Sequence, residues 1–357
     1  MCKTDNKLMY TVNYLGKTYT SQSGFKILDD IEYGNIVRQW YNKPNYRDVQ
    51  IEMNNIRKGG ITVGNIVKYY FRDIMDNTVK YFDKWSINEV INNKELLSIF
   101  VDKINKNPKV FCSNSIIDNI DTAFRLGGKG IASKVSNFPV GIVDDILYKY
   151  NVNNNWYDFS CGWGARLTGA LKNKVNYFGT DPNYLLCDRL NQYANDYKST
   201  NKTNSIVKIW CQGSEKFIPE LKNTIGLAFS SPPYFLLEDY KIGEQSYKSG
   251  TSYECWKQNY YKPTIKNIFE YLTDDGYLII NIKDFDKYSL EQDTINIAQE
   301  CGFELYKVEK LSQVARASGS ISGTGNTAVD VDENIYVFCK NGKTPKICYN
   351  QQLSLFE

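Results

Sequence analysis

From about residue 138 onward, apolar runs alternate with amphipathic stretches in a helix–strand–helix–strand rhythm. Few folds accept that pattern other than a parallel sheet covered on both faces. Strands are predicted near 156–160, 176–180, 205–211, 225–230, 276–282, 303–310 and 333–339. The last two follow each other without a clear intervening helix and read as a closing antiparallel hairpin. The loop between them, 312–330, contains Ser-Gly-Ser-Ile-Ser-Gly-Thr-Gly-Asn. Ahead of this region, residues 10–20 alternate as a small hairpin, and about 27–125 are helical in spacing. Gly64 to Met75 has one apolar face, and Ser86 with Glu89 forms a capping box opening a helix through Leu96, Leu97, Phe100 and Ile104. With 357 residues, the chain can hold one large α/β domain and a smaller one.

Composition matters most by what it removes. There is no histidine, which excludes Ser-His-Asp hydrolysis, Cys-His proteolysis, HExxH metalloproteases and His-ligated zinc deaminases. The nine cysteines are scattered singly, without metal-ligand spacing, so no metal is expected and a reducing cytosol fits. The start of the chain has no apolar core of a secretory leader, and no membrane span is expected. A formal net charge of +3 is too small to predict a polyanionic partner, although charge can still cluster locally.

Three turns at predicted strand ends carry polar or glycine-rich chemistry. Trp156 to Leu167 reads as strand, glycine-bearing turn and helix start. There Gly162 and Gly164 allow a sharp turn and close approach of a ligand to the backbone. The pattern is not GxGxxG. Asp158 instead places a carboxylate beside the pocket, suited to an ammonium or a sulfonium-bearing amino acid, with Ser160 in the same turn. Asp181 ends the next strand, where an acid is placed to bind ribose hydroxyls. A third strand runs into Gln212-Gly213-Ser214-Glu215, where Ser214 falls at the expected position of an adenine edge.

The fourth turn is Ser231-Pro232-Pro233-Tyr234, after the apolar run Ile225–Phe229. Two prolines cannot continue strand or helix, so the chain makes a rigid corner with outward carbonyls. Ser231 Oγ and the Pro232 carbonyl can accept the hydrogens of an exocyclic base amine, and Tyr234 can stack on the base.

This ordered set resembles the S-adenosylmethionine-dependent DNA amino-methyltransferases, which modify N4 of cytosine or N6 of adenine. Asp158-Phe159-Ser160-Cys161-Gly162-Trp163-Gly164 is similar to that family's D-x-x-x-G-x-G cofactor loop. Asp181 matches its ribose acid, and Ser231-Pro232-Pro233-Tyr234 its (D/N/S)PP(Y/F/W) motif. Ser136-Asn137-Phe138-Pro139-Val140 looks like the segment that packs on the cofactor's methionine end, and Gly276 to Asp284 like the fifth-strand segment. The resemblance covers about 130–340. It implies a Rossmann-like AdoMet-dependent methyltransferase fold, α/β, with a mostly parallel seven-stranded sheet, a closing antiparallel hairpin and a mainly helical N-terminal region. The implied division is 1–129, 130–341 and a tail, 342–357. S-adenosylmethionine is the implied cofactor, held by Phe138, Asp158, Ser160, Gly162, Gly164, Asp181 and Ser214. The implied catalytic corner is Ser231, Pro232, Pro233 and Tyr234, acting by direct methyl transfer to a base flipped out of double-stranded DNA. Serine in the first position leans towards N4 of cytosine, with N6 of adenine the close alternative. No Pro-Cys dipeptide occurs, which disfavours C5-cytosine chemistry, and Cys161 reads as a small residue in the turn. The competing readings are a catalytically silent DNA- or clamp-binding protein of the same fold, and an RNA or protein N-methyltransferase.

No long target-recognition insert follows Tyr234. The N-terminal region is therefore the leading candidate for duplex recognition. It is helped by the loop after the proline corner, with Lys241 and Lys248 as phosphate contacts beside Gln245, Tyr247, Trp256 and Tyr260, and by the 312–330 loop with Arg316 as a further phosphate contact. Trp256 and Tyr260 fit a helix core equally well. The chain ends Gln352-Leu353-Ser354-Leu355-Phe356-Glu357, which resembles the peptide that docks in the bacterial DNA sliding clamp. The implied clamp contacts are Gln352, Leu353, Leu355 and Phe356.

Overall fold

The computed structural model describes residues 9–14, 17–22, 26–127, 130–250, 252–310 and 333–340. The chain divides into two compact units, one of Met1–Lys43, Arg72–Ser136 and Leu236–Lys241, the other of Pro44–Phe71, Asn137–Phe235 and Ile242–Glu357.

In the first unit, β1 (Met9–Tyr14) and β2 (Lys17–Gln22) form the expected antiparallel hairpin, with Met9 opposite Gln22. A second short ladder pairs β3 (Val79–Lys80) with β8 (Glu238–Asp239). Helices supply the core, where Trp40, Phe100 and Phe124 meet; Phe100 and Phe124 stack at 4.3 Å. The Trp40 indole donates to buried Asp76 at 2.8 Å, and the Arg72 guanidinium lies 4.0 Å over the Trp40 ring. The capping box at Ser86 forms as expected, with Glu89 N–H on Ser86 Oγ at 3.1 Å and Ser86 N–H on Glu89 at 2.6 Å. It opens a shorter helix than predicted, Ile87–Ile91. Asn93 then caps a new one, Lys94–Asn105, by accepting the Leu96 N–H at 2.9 Å. Its side chain competes for backbone donors and restarts the helix there.

The second unit is built on a seven-stranded sheet: β4 (Asn155–Asp158), β5 (Asn176–Thr180), β6 (Val207–Trp210), β7 (Ile225–Ser230), β9 (Leu272–Ile282), β10 (Phe303–Lys310) and β11 (Asn334–Lys340). The spatial order is β10-β11-β9-β7-β4-β5-β6. β9, β7, β4, β5 and β6 run parallel, while β11 is antiparallel to both β9 and β10. This is the Rossmann-like methyltransferase arrangement with the closing hairpin, as predicted. β7 is buried at every position, the signature of a strand covered on both faces. From β4 the chain goes out to β5 and β6, then returns to β7 on the other side of β4. That reversal makes the β4–β7 junction the switch point, outside whose carboxyl ends ligands sit.

Residues 44–71 belong to this unit, which revises the expected boundary at 129. The reason is packing on the helix Tyr184–Asn201: Tyr70 donates to Asp196 at 2.6 Å, and Asn201 donates to the Met53 carbonyl at 3.2 Å. The helix expected from Gly64 to Met75 accordingly ends at Tyr70. Phe71 leaves helical geometry and lies fully buried against the glycine turn after β4.

Candidate functional site

The turn after β4 is shaped by its glycines. Gly162 and Gly164 have φ of +58° and +79°, conformations that cost a side-chain-bearing residue, and Gly164 is the cap of the helix Ala165–Lys172. A Cβ on Gly164 would come within 2.6 Å of the Phe71 ring. Inside the turn, Asp158 is fully buried. Its Oδ2 accepts Arg166 Nε and the Tyr177 hydroxyl, each at 2.7 Å, and its Oδ1 accepts the Ser160 N–H at 3.3 Å. Arg166 also donates through Nη2 to the Ser160 carbonyl. The expectation that Asp158 faces an ammonium directly is therefore revised: its oxygens are engaged inside the protein and organise the loop. Burial tends to lower the Arg166 pKa, but the adjoining Asp158 outweighs it, and the guanidinium is held above its ordinary value. Burial pushes the Cys161 thiol far up, which suits a small packing residue rather than a nucleophile.

Phe138 precedes the helix Val140–Tyr150 and reaches the same turn. Its ring meets Phe229 of β7 edge-on at 5.4 Å and lies 5.9 Å from the Arg166 guanidinium carbon. Its neighbour Asn137 donates to the Trp163 carbonyl at 3.2 Å, which ties this segment to the loop.

At the end of β5, half-buried Asp181 accepts the Asn183 N–H at 3.0 Å. Burial raises its carboxyl to about 6, although the Asn183 and Gly162 N–H groups oppose the rise. Cys161 N–H bonds the Thr180 carbonyl at 3.2 Å, and a Cβ on Gly179 would strike the Cys161 sulfur.

Ser214, after β6, is buried and its role is revised. Its hydroxyl pairs with Thr264 at 2.9 Å, and its carbonyl accepts Asn267 at 3.0 Å. These bonds pin the turn to the helix Lys262–Tyr271, leaving no ligand-facing hydroxyl.

The proline corner follows β7 directly. Pro232 is buried, while Ser231, Pro233 and Tyr234 are half-buried. The Ser231 carbonyl accepts Ser160 Oγ at 3.2 Å, so the corner and the β4 turn are joined side by side. The Ser231 hydroxyl has no hydrogen-bond partner among the described residues. Behind Tyr234, Phe235 enters an aromatic cluster with Tyr253, Trp256 and Tyr288 at 5.2–5.8 Å. Trp256 and Tyr260 are buried, so the core reading holds for both. Trp256 immediately precedes a π-helical turn, Lys257–Tyr261, and Tyr260 lies within it.

Of the expected phosphate contacts, Lys241 lies in the first unit, paired with Asp239 at 2.9 Å, and Lys248 lies exposed in the second. Gln245 is buried, with its amide donating to the Ile242 carbonyl at 3.1 Å. Arg316, the 312–330 loop and the tail residues Gln352, Leu353, Leu355 and Phe356 lie outside the described residues. Among the described residues, no helix is long and apolar enough to cross a membrane, and no cluster of metal-ligating side chains occurs. Sequence reasoning missed Arg166 and Tyr177. The signal for Arg166 was its place in the first turn of the helix behind the glycines.

No protein-family model and no curated protein matches this sequence. Among solved structures, the chain is similar to a TehB-like SAM-dependent methyltransferase from Corynebacterium glutamicum (15% identity, 63% of this chain and 97% of that one, TM-score 0.36). It is also similar to a 30S ribosomal A1408 methyltransferase from an uncultured bacterium (16%, 58% and 97%, TM-score 0.36). A third is magnesium protoporphyrin IX methyltransferase from Synechocystis PCC 6803 with bound SAM (11%, 67% and 91%, TM-score 0.38). At such identities and scores, the strand order and the site geometry carry the functional reading.

Proposed function

We propose that this protein is an S-adenosylmethionine-dependent methyltransferase acting on the exocyclic amine of a base flipped out of DNA, N4 of cytosine first and N6 of adenine as the alternative. The observation that carries the reading is the Ser160–Ser231 hydrogen bond. It makes one continuous surface of a cofactor-type glycine turn and a proline corner whose serine hydroxyl is unpartnered.

The residues at this edge fit the cofactor. Gly162 leaves bare a face of the turn that a side chain would fill, with the Arg166 guanidinium 3.4 Å from that position. Asp181 is an acceptor for ribose hydroxyls, and Phe138 offers a ring beside the loop. When bound, S-adenosylmethionine supplies an activated methyl group. The chain's own part is positioning. Ser231 Oγ and the Pro232 carbonyl accept the two amine hydrogens, which leaves the nitrogen lone pair free to react. Tyr234 stacks on the base, and the two prolines hold the corner rigid, so little ordering remains to be done in the complex. Fixed acceptors beside the amine also stabilise the positive charge that grows on nitrogen as it is alkylated.

Incubation with radiolabelled S-adenosylmethionine and duplex DNA of varied sequence, followed by nucleoside digestion, tests this directly. Label in N4-methylcytosine or N6-methyladenine is expected. Label only in RNA or protein, or in no acceptor at all, would end the DNA reading.

A further inference from the structure

We propose that Arg166 holds the carboxylate of the cofactor's amino-acid end, an assignment that rests on the S-adenosylmethionine reading above. Arg166 is the second residue of the helix Ala165–Lys172, and its side chain turns back towards the helix start, onto the loop that precedes it. The side chain is only 7% exposed and its partner Asp158 is fully enclosed. A guanidinium has five N–H donors in a planar fork. Nε uses one on Asp158 and Nη2 uses one on the Ser160 carbonyl. The remaining donors, both of those on Nη1 included, have no partner among the described residues.

Among the described residues, no Arg166 nitrogen is both fully enclosed and unpartnered, so its idle donors are the exposed edge of an otherwise enclosed side chain, where a ligand can reach them. What surrounds it defines that ligand. Asp158 already accepts three hydrogen bonds and balances one charge, so the Arg166–Asp158 pair is neutral. A neutral zwitterion fits such a site better than a free anion. Gly162 keeps one side of Nη2 bare, and the Phe138 ring lies 5.9 Å from the guanidinium carbon, an apolar surface for a methylene chain. Beyond Gly162 stands Asp181 for the ribose, and beyond Ser160 stands the Ser231 corner. An α-amino acid tethered to a nucleoside through a short thioether spans that sequence of groups, with its carboxylate on the fork.

The test compares two ligands by calorimetry: S-adenosylhomocysteine, and 5′-(3-aminopropylthio)adenosine, which keeps the thioether and ammonium and lacks the carboxylate alone. The wild type is expected to prefer the carboxylate-bearing ligand by roughly thirtyfold, the usual range for a charge-assisted pair. Arg166→Gln and Arg166→Lys should bind the two ligands alike, within about threefold, because neither presents a fork. Thermal melting accompanies both variants. If the glutamine variant does not fold, the lysine variant keeps a cation against Asp158 and carries the comparison. A loss that is equal for both ligands, with the wild-type ratio retained, would show that Arg166 only braces the turn, and would overturn the proposal. Binding of neither ligand by the wild type would bring down the cofactor reading itself, and this assignment with it.

Discussion

Ser160 Oγ donates to the Ser231 carbonyl at 3.2 Å, joining the turn after β4 to the corner after β7 across the switch point of the sheet. Ser230 Oγ adds contacts of 3.4 Å to both the Ser160 carbonyl and its hydroxyl. Two loops distant in sequence are thereby tied together. Ser231→Ala should lower kcat on the order of a hundredfold while cofactor affinity stays within about twofold, because its proposed partner is the target amine. Ser160→Ala removes one neutral hydrogen bond and should lower kcat about fivefold. Single-turnover rates alongside calorimetric cofactor binding separate the two quantities. Equal losses in rate and affinity for Ser231→Ala would place that serine outside the amine clamp.

Gly164 and Phe71 set a second, purely steric test. A Cβ at Gly164 meets the Phe71 ring at 2.6 Å, in a backbone conformation already at φ +79°. Gly164→Ala should destabilise the fold by about 3 kcal/mol, part from the left-handed backbone and part from the overpacked ring. Urea unfolding measures it. The smaller ring site in Gly164→Ala/Phe71→Leu should recover some of that loss, and a cost simply additive over the two single variants would exclude the clash.

The sheet was legible because parallel strands buried on both faces are contiguous apolar runs, as in Ile225–Ser230, and their ends carry the polar turns. The glycine turn, Asp181 and the proline corner were legible for the same reason. Long-range pairing was not. Nothing in the spacing shows that Asp158 spends its charge on Arg166, or that Ser214 turns inward to Thr264. Side-chain direction at a strand end depends on which helix covers it, and that is settled only by tertiary packing. The segment 44–71 misled for a related reason: its helical period is clear, but the period does not name the partner, here the helix Tyr184–Asn201. At Asn93, a residue that caps as readily as it continues a helix hid a boundary.

The tail resembles a sliding-clamp peptide, and we propose that it serves as one. Leu353, Leu355 and Phe356 offer three apolar anchors, each worth about 1.5–3 kcal/mol when fully buried in a partner. Deleting residues 352–357 should abolish capture by immobilised clamp while methylation of a short duplex stays unchanged. Undiminished capture by the truncated protein would rule the tail out.

Asp181 supplies a pH signature. Its carboxyl titrates near 6 in the folded protein because burial disfavours the charge. Only the ionised form accepts two ribose hydroxyls as a full carboxylate, so affinity for S-adenosylhomocysteine should rise from pH 5 to 7 and level off above. Asp181→Asn should bind more weakly at pH 7.5 and lose this slope. Stability runs the other way. A carboxyl whose folded pKa lies above its unfolded value of about 3.9 binds more protons folded than unfolded between the two. Wild-type stability should therefore fall relative to Asp181→Asn as pH rises from 4 to 7, and the difference should hold constant above that. Calorimetric titration and thermal melts at matched pH read both slopes. A pH-independent affinity in the wild type would show that Asp181 does not meet the ligand as a carboxylate, whatever its effect on stability.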